Sequence, residues 1–236
     1  MTTFTYQERF RTIKGVFDEF TQRNLFELQS RGKFDELISP IFVGKESNVF
    51  LASKDDAKVI VKIYRVQNCD FNHMFDYIKQ DPRYEFLKKN RRQIIFAWTQ
   101  REYKNLLRAE KANVTSPKVL AWKNNVIVEE LVGNEEPAPP LKDAHPEDPK
   151  KFFKLLLIEL KKLYQGGLVH GDLSAFNILN FNEKPYLIDF SQGTITKNYQ
   201  AEELLKRDLM NVLHFFKKFG IKADLEQTFK KVTAGK

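Results

Sequence analysis

His170-Gly171-Asp172-Leu173-Ser174-Ala175-Phe176-Asn177 is the stretch of sequence that decides the fold, because it sets an Asp and an Asn five residues apart. Another aspartate, Asp189, comes after a predicted hairpin that follows this stretch. Phosphoryl transfer needs a carboxylate that orients the attacking hydroxyl or water, and oxygen ligands that hold Mg²⁺ against the phosphates. We therefore predict Asp172 as the catalytic base, and Asn177 and Asp189 as Mg²⁺ ligands, in an ATP-dependent phosphotransferase.

Apolar residues around these polar groups distinguish a functional site from an ordinary surface loop. The runs Leu168-Val169, Ile178-Leu179 and Leu187-Ile188 flank all three polar residues, so we expect their neighbours to be buried. Turn-forming Asp and Asn on a surface loop are the simpler interpretation, but buried polar groups need partners. The flanking pattern therefore favours a functional site.

Lys62 and Glu102 each interrupt an apolar pattern. Lys62 lies in the strand-like run of residues 59–64, where an ammonium group needs a counter-charge. Glu102 falls on the apolar stripe of a helix predicted over residues 94–111, whose other side carries charged residues such as Arg101. We predict an ion pair between them that holds the phosphates of ATP and gives Lys62 a catalytic role. The alternatives are a strand lysine that extends its ammonium group to solvent, and Glu110 in place of Glu102.

The turn Gly44-Lys45-Glu46-Ser47-Asn48 separates the first two predicted strands, where a kinase fold covers the phosphates. It holds one glycine and not the three of a full glycine-rich loop. It is not a Walker A motif either, since Glu46 separates Lys45 from Ser47. We predict that the amide of Gly44 and the side chains of Lys45 and Ser47 contact phosphate oxygens. An ordinary hairpin turn is the alternative.

The chain divides into three predicted parts. Residues 1–38 carry apolar side chains at helical spacing and predict an N-terminal helical extension. Residues 39–132 alternate with the period of a half-buried sheet, apart from a flexible, irregular insertion at 65–93 and the helix predicted over 94–111. Residues 133–236 begin with a proline-rich linker and then predict helices around a short hairpin. Together they predict an α+β, two-lobed, trimmed protein-kinase-like fold with an antiparallel-sheet N-lobe and a helical C-lobe.

Composition limits the compartment and the partners. The 236 residues carry a net charge of +8, which attracts polyanions such as nucleotides and RNA. No run approaches the roughly 18 apolar residues of a membrane span, and the N-terminus lacks a signal-peptide pattern. Cys69 is the single cysteine, which excludes an internal disulfide. We expect a cytoplasmic protein without a membrane association, as a monomer or weak dimer.

Four stretches together resemble the RIO family of atypical serine/threonine kinases over about residues 40–215: Gly44 to Phe50, Val61 to Tyr64, His170 to Asn177, and Ile188 to Gln192. Within this family, Asp172-Leu173-Ser174 and Asp189-Phe190-Ser191-Gln192 resemble the motifs of the branch typified by the first-named RIO kinase. The resemblance also suggests an archaeal source. The other main branch carries an N-terminal winged helix, for which the first 38 residues are too few. The resemblance implies that residues 129–131 are the hinge between the lobes. There the Glu130 carbonyl and neighbouring amides, including that of Leu131, hold adenine.

The resemblance also implies an activity and partners. It implies ATP hydrolysis and autophosphorylation with Mg²⁺, or Mn²⁺ as an alternative, and a transient aspartyl phosphate at Asp189. It further implies action on the small-subunit pre-ribosomal particle and its rRNA. Gly171 and Ser174 stand where ordinary protein kinases carry Arg and Lys, and little chain follows Asp189. We therefore do not expect an activation segment or ordinary peptide recognition.

Two other functions are compatible with parts of this sequence. Small-molecule phosphotransferases of the aminoglycoside or choline kinase type share the His-Gly-Asp-Leu motif and the Asn at the same spacing. Ser174 weighs against them, because those enzymes usually carry His there. A scaffold without chemistry is the third possibility, and the presence of Lys62, Asp172, Asn177 and Asp189 weighs against it.

Overall fold

The structure is a computed structural model that describes residues 17–66 and 69–235. Helix α1, Glu19–Ser30, begins where the carboxylate of Asp18 accepts a hydrogen bond from the backbone of Thr21 at 2.7 Å. This is the usual N-cap arrangement. Leu25 and Leu28 are buried against the sheet, in keeping with the apolar spacing in the sequence. The apolar positions 10 and 13, on which the prediction of an N-terminal helix also relied, lie outside the described residues.

An antiparallel sheet of five strands in the order β1-β2-β3-β5-β4 forms most of the N-terminal lobe. The strands are β1 Glu36–Val43, β2 Ser47–Lys54, β3 Ala57–Tyr64, β4 Val119–Lys123 and β5 Val126–Glu130. One face packs on α1 through Phe50, Val61 and Val128. Since side chains alternate along a strand, Lys62 and Tyr64 lie on the opposite face. The predicted antiparallel-sheet lobe is confirmed.

The segment of residues 65–93, which the sequence predicts as a flexible, irregular insertion, contains two helices in the part that the structure describes. Helix α2, Phe71–Ile78, is capped by Asp70, and a short 3₁₀ helix follows at Pro82–Tyr84. Met74 and Ile78 are buried in a cluster with residues of the next helix. A helix this short depends on tertiary packing for its stability, so its own sequence pattern is a weak signal.

The longest helix joins the two lobes. Helix α3, Arg91–Lys111, starts with Asn90 as its N-cap. Ile95 and Trp98 in its first half pack beneath the sheet, whereas Leu106 in its second half belongs to the core of the C-terminal lobe. Because one helix contributes to both cores, residues on its middle turns lie at the cleft between the lobes.

The C-terminal lobe consists of helices around short strand pairs. Its elements are α4 Pro149–Gln165, β6 Leu168–Val169, β7 Ile178–Phe181, β8 Lys184–Leu187, β9 Thr194–Ile195, α5 Ala201–Lys217 and α6 Leu225–Thr233. Leu156, Leu209 and Phe216 lie in its core. The predicted helical lobe, and with it the α+β kinase-like fold, is confirmed. None of the helices in the described parts of the chain is long and apolar enough to cross a membrane.

The hairpin of β7 and β8 brings two predicted site residues to one end. Its turn residues Asn182 and Glu183 have φ values of 52° and 59°, the left-handed conformation of a tight two-residue turn. The strands pair from Ile178 opposite Leu187. The backbone of Ile188 then donates to the carbonyl of Asn177 at 3.1 Å. Asn177 and the residue after Ile188, Asp189, therefore lie side by side.

Candidate functional site

Lys62 is the centre of the site, because its ammonium group contacts carboxylates from two different elements. Its Nζ lies 2.7 Å from Oε1 of Glu102 on α3 and 2.9 Å from Oδ1 of Asp189. Lys62 is 6% exposed and Glu102 is 1% exposed. Tyr64, two residues along β3, donates its hydroxyl to Oε2 of Glu102. The structure thus brings together the predicted Lys62 and Glu102 and adds Asp189 to the pair.

The charges of this cluster set one another's pKa values. Burial by itself would lower the pKa of Lys62, but the negative charges of Asp189 and Glu102 outweigh burial and raise it well above its usual value. Burial would raise the pKa of Asp189, yet Lys62 and the hydroxyl of Ser191 hold it down to about 2. Both groups are therefore charged at neutral pH. The Asp189 side chain is still 37% exposed, so it opens into the cleft.

Asp189 occupies an uncommon backbone conformation, with φ of +60°. Asp tolerates this left-handed region better than most residues, and such positions concentrate at functional sites. The hydroxyl of Ser191 donates to Oδ1 of Asp189 at 2.7 Å. Lys62 and Ser191 therefore share one carboxylate oxygen, which leaves Oδ2 for another ligand.

Asp172 and Asn177 lie next to each other in the loop between β6 and β7. The amide nitrogen of Asn177 donates to the carbonyl oxygen of Asp172 at 2.8 Å and approaches its Oδ2 at 3.4 Å. Partial burial and then the charge of Asp189 raise the pKa of Asp172 to about 6. A carboxyl with this pKa is mostly ionised near neutral pH but still basic enough to take up a proton, as a general base requires.

Asp208 on α5 holds this loop in place. Its buried carboxylate accepts hydrogen bonds from the backbone of Gly171 at 2.7 Å and of Leu173 at 2.8 Å, on both sides of Asp172. Arg207 donates to the carbonyl oxygen of Gly171. Burial raises the pKa of Asp208 to about 7, although both backbone donors act in the opposite direction. Helix α5 therefore fixes the backbone that carries the predicted base.

His170 has a structural role. It is 1% exposed, its Nε2 lies 3.0 Å from the carbonyl oxygen of Ile188, and its ring packs on Phe190. Burial lowers the pKa of His170 to about 4, so the imidazole is neutral at physiological pH. A neutral ring with Nε2 protonated donates to that carbonyl and fastens the loop to the strand before Asp189.

Four consecutive carbonyl groups after Asp189 accept hydrogen bonds from the N-terminal half of the chain. Asn105 donates to the carbonyls of Phe190 and Gly193, and Arg101 donates to that of Ser191. Tyr77 of α2 donates to the carbonyl of Gln192 at 3.1 Å. Residues 190–193 are thereby held from α2 and α3, and we call them the post-Asp189 segment.

Arg101 corrects a detail of the predicted helix. Its charge indicates the solvent-facing side of α3, but the side chain is fully buried and stacks on Trp98. Burial lowers the pKa of Arg101 to about 10, which leaves the guanidinium charged at neutral pH. Its Nε donates to the carbonyl of Ser191 at 2.8 Å, so the buried guanidinium helps to hold the post-Asp189 segment in place.

The predicted phosphate loop is a tight turn next to this cluster. The backbone of Gly44 donates to the carbonyl of Ser47 at 2.9 Å. A Cβ on Gly44 would lie 2.6 Å from the ring of Phe42, so a larger residue here would have to displace that exposed side chain. Among hydrogen bonds between described residues, none joins the side chains of Lys45 or Ser47 to Lys62 or Asp189. Their contact with phosphate therefore stays a prediction.

The predicted hinge lies at the end of β5. Glu130 is exposed, and its amide donates to the carbonyl of Lys118 within the sheet at 2.8 Å. Its own carbonyl and the neighbouring Leu131 remain the predicted adenine contacts. The residue before it, Glu129, is 8% exposed and carries a buried carboxyl.

The donor set fits Mg²⁺ carried by a nucleotide. Asp189 has Oδ2 available for a cation, because Ser191 binds Oδ1. The side-chain nitrogen of Asn177 donates to the carbonyl of Asp172, which leaves the side-chain oxygen of Asn177 available to the cation. Mg²⁺ is usually bound by one or two protein oxygens, with phosphates and waters completing its shell. Two oxygen ligands on one end of a hairpin are therefore sufficient when phosphates are present.

Sequence reasoning did not assign roles to Asp208, Arg101 and Asn105. A signal was present for Asp208, which falls between Leu204 and Val212 on the buried stripe of α5. This is the same pattern that identified Glu102. No comparable signal marks Arg101 or Asn105, because their partners are backbone carbonyls about 90 residues away in the sequence.

The fold and the site define a two-lobed, protein-kinase-like phosphotransferase. Comparison with known proteins refines this class, since the family model of the RIO domain matches residues 48–230. The chain belongs to the RIO family of ATP-dependent serine/threonine-protein kinases.

Relatives and solved structures agree with this assignment. The RIO-type serine/threonine-protein kinase Rio1 of Methanocaldococcus jannaschii is 41% identical, covering 97% of this chain and 79% of the relative. The Rio1 kinase of Haloferax volcanii is 39% identical, with 96% and 79% covered. The Rio2 kinase of Chaetomium thermophilum, solved as an ADP/Mg²⁺-phosphoaspartate complex, superposes with a TM-score of 0.68 at 21% identity, covering 89% of this chain and 66% of that one. This last likeness concerns the fold.

The relatives also distinguish between the functions that the sequence allows. The Rio1 relatives confirm the predicted family and the predicted branch. They favour a protein kinase over a small-molecule phosphotransferase of the aminoglycoside or choline kinase type.

Proposed function

We propose that this chain transfers the γ-phosphate of ATP, as its Mg²⁺ complex, to serine or threonine hydroxyls, to itself and to water. The observation that carries this proposal is the double contact of Lys62 with Glu102 and Asp189. A buried lysine fixed by a helix glutamate is the device by which kinases hold the phosphates of ATP. Asp189 in the same cluster places the predicted metal ligand within reach of those phosphates.

Each residue of the site has a distinct proposed role. Lys62 binds the phosphates, and Asn177 and Asp189 hold the cation, which neutralises charge on the phosphates when it is bound. Asp172 orients the attacking hydroxyl or water and takes its proton, which its raised pKa favours. Gly44, Lys45 and Ser47 cover the phosphates, and Glu130 and Leu131 hold the adenine through backbone groups.

Asp189 has a second proposed role as a nucleophile. The family resemblance implies an aspartyl phosphate here, and the Chaetomium thermophilum protein was solved with a phosphoaspartate. In this step a carboxylate oxygen of Asp189 bonds to the γ-phosphorus while the bond to the β,γ-bridging oxygen breaks and ADP leaves. Water then hydrolyses the acyl phosphate, releasing phosphate and restoring the carboxylate. Lys62 and Ser191 already bind Oδ1, so Oδ2 is the oxygen that faces the nucleotide; it would bind the cation before the reaction and bond to phosphorus in this step.

The proposed cellular role is maturation of the small ribosomal subunit in the cytoplasm, with the pre-ribosomal particle and its rRNA as partners. The family resemblance supports it, and the net charge of +8 suits an RNA-containing particle. Recovery of small-subunit precursor RNA with an affinity-tagged Asp172→Ala variant is the expected result. Recovery of only the RNA found with an untagged control would contradict this role.

The chemistry is tested with the purified chain, Mg²⁺ or Mn²⁺, and γ-labelled ATP. We expect phosphate release and self-labelling, both lowered at least ~100-fold by Asp172→Ala. Hydroxylamine cleaves an acyl phosphate but leaves phosphoserine and phosphothreonine intact. Asp189→Asn should therefore abolish the part of the self-labelling that hydroxylamine removes.

Asp143→Asn is the matched control for Asp189→Asn, since Asp143 is an exposed aspartate whose side chain lies beside Lys142. We expect it to leave both activities unchanged. Equal activity of the wild type, Asp172→Ala and Asp189→Asn would refute the proposed function.

A further inference from the structure

Glu129 carries a buried carboxyl oxygen that has no hydrogen-bond partner among the described residues. It is 8% exposed, and its Oε1 is fully buried with no donor in reach among the described residues. Val126, Ile127 and Val128, which precede it on β5, are all buried apolar residues. Since an unpaired polar atom in such a place costs free energy, folding alone does not explain a glutamate here.

The register of the sheet places this carboxyl on the face of the catalytic cluster. In the pairing of β3 with β5, Ile60 lies opposite Glu129 and Lys62 lies opposite Ile127. Opposed residues share a face, and so do residues two apart on one strand. Glu129 and Lys62 therefore lie diagonally across the two strands on the face that meets α3.

Charge interactions agree with this placement. Burial, and after it the negative charge of Glu102, raises the pKa of Glu129 to about 8, while Lys62 acts in the opposite direction. The carboxyl of Glu129 is thus close enough to the Lys62–Glu102 ion pair for both charges to affect its pKa. In either protonation state it retains an oxygen that can accept a hydrogen bond.

Strand β5 ends at Glu130, one residue after Glu129, and the chain leaves the sheet through the predicted hinge at Glu130 and Leu131. The proposed function places the phosphates at Lys62 and Asp189 and the adenine at this hinge. Glu129 is the ionisable side chain between these two points on β5. The edge of adenine that faces the interior of a cleft carries the exocyclic 6-amino group, a donor that also needs a partner when buried.

We propose that the carboxyl of Glu129 accepts a hydrogen bond from the 6-amino group of adenine and so makes the site selective for 6-aminopurine nucleotides. This inference rests on the proposed ATP site. A site that contains an unpaired buried acceptor discriminates strongly against a ligand that lacks the matching donor, because the acceptor then stays desolvated and unpaired. The competing role for Glu129 is a second counter-ion for Lys62, without contact to the base.

Equilibrium binding of two nucleotides to three proteins separates these roles. The nucleotides are ADP and purine riboside diphosphate, which lacks only the 6-amino group, and neither requires turnover. The proteins are the full chain, Glu129→Gln and Glu129→Leu. The 6-amino group has two hydrogens, one for Glu129 and one for the proposed hinge carbonyl of Glu130, so we expect the full chain to prefer ADP by more than tenfold. Glu129→Gln keeps an acceptor oxygen and should retain most of that preference, whereas Glu129→Leu should lower it at least about fivefold, leaving the part that the Glu130 carbonyl contributes.

Two controls keep the result specific to the base. The ratio of affinities for ADP and 2′-deoxy-ADP should be equal in the full chain and in Glu129→Leu, since these ligands differ only in the ribose. Thermal melting should show that Glu129→Leu is as stable as the full chain or more so, because an apolar residue replaces an unpaired carboxyl.

A preference for ADP that is as large in Glu129→Leu as in the full chain would overturn the proposal. So would an equal loss of affinity for both nucleotides, which is the result expected of a counter-ion for Lys62. Failure of the full chain to bind ADP at all would instead refute the proposed function, and the inference with it.

Discussion

Lys62 and Asp189 form an ion pair between the two lobes, with 2.9 Å from Nζ to Oδ1. The same ammonium group lies 2.7 Å from Glu102, whose side chain is almost completely buried. The two contacts differ in exposure, since the Asp189 side chain is 37% exposed. An arriving nucleotide therefore competes for the contact with Asp189, while Glu102 keeps Lys62 in position.

Loss of Lys62 should destabilise the protein as well as inactivate it. Lys62→Met leaves the buried Glu102 without its cation, and we expect a loss of about 3 kcal/mol in the free energy of unfolding, measured with urea. Adding Glu102→Gln removes the stranded charge while retaining an acceptor for Tyr64, so the double variant should recover at least half of that loss. Nucleotide binding should be lost in both. A double variant no more stable than Lys62→Met would show that burial of charge is not the cause.

Asp208 should act on turnover without acting on nucleotide affinity. Asp208→Asn replaces one acceptor oxygen by an amide donor, so one of the two backbone bonds, to Gly171 or Leu173, is lost. The loop that carries Asp172 then loosens, and we expect kcat for ATP hydrolysis to fall about tenfold or more with little change in KM.

Glu203→Gln is the matched control for Asp208→Asn, because Glu203 is an exposed carboxylate on the same helix. It should leave kcat and KM unchanged. If Asp208→Asn instead raised KM for ATP and spared kcat, Asp208 would not be a positioning residue for Asp172.

The sequence predicts the central part of this site because its polar residues interrupt apolar patterns. Lys62 in a strand and Glu102 on an apolar stripe each require a partner, and the structure pairs them. The same reasoning applied to α5 would have found Asp208. The sequence predicts that Arg101 faces solvent, because a charged residue in a helix usually does, and this prediction is wrong. Its partner, the carbonyl of Ser191, carries no signature in the sequence.

Stability should depend on pH through Glu129. Its pKa is raised by burial to about 8 in the folded protein, so the folded state holds this proton more tightly than the unfolded chain does. The stabilising contribution is therefore complete below the unfolded pKa and is lost as pH rises through about 8. Between pH ~5 and ~8 we expect Glu129 to account for a loss on the order of 2 kcal/mol.

Urea unfolding of the wild type and Glu129→Gln across this range tests the expectation. The variant should lose less stability between the two ends, because its side chain does not titrate. Asp208, whose pKa is raised to about 7, should contribute in the same direction in both proteins. Identical pH profiles for the two proteins would mean that Glu129 does not titrate in this window.

Helix α2 should hold the post-Asp189 segment, although the sequence predicts a flexible insertion there. The hydroxyl of Tyr77 donates to the carbonyl of Gln192, and a Cβ on Gly171 would lie 3.0 Å from the same hydroxyl. Tyr77→Phe removes this donor and leaves a part-buried carbonyl unpaired, which should cost about 1 kcal/mol of stability. Because the ring remains, packing on Trp98 is unchanged. Amide hydrogen exchange should show faster exchange confined to residues 190–193.

Tyr199→Phe is the control, because it removes a hydroxyl from an exposed tyrosine; it should change neither the stability nor the hydrogen exchange of residues 190–193. Unchanged exchange of the post-Asp189 segment in Tyr77→Phe would show that α2 does not restrain it, and that Arg101 and Asn105 suffice.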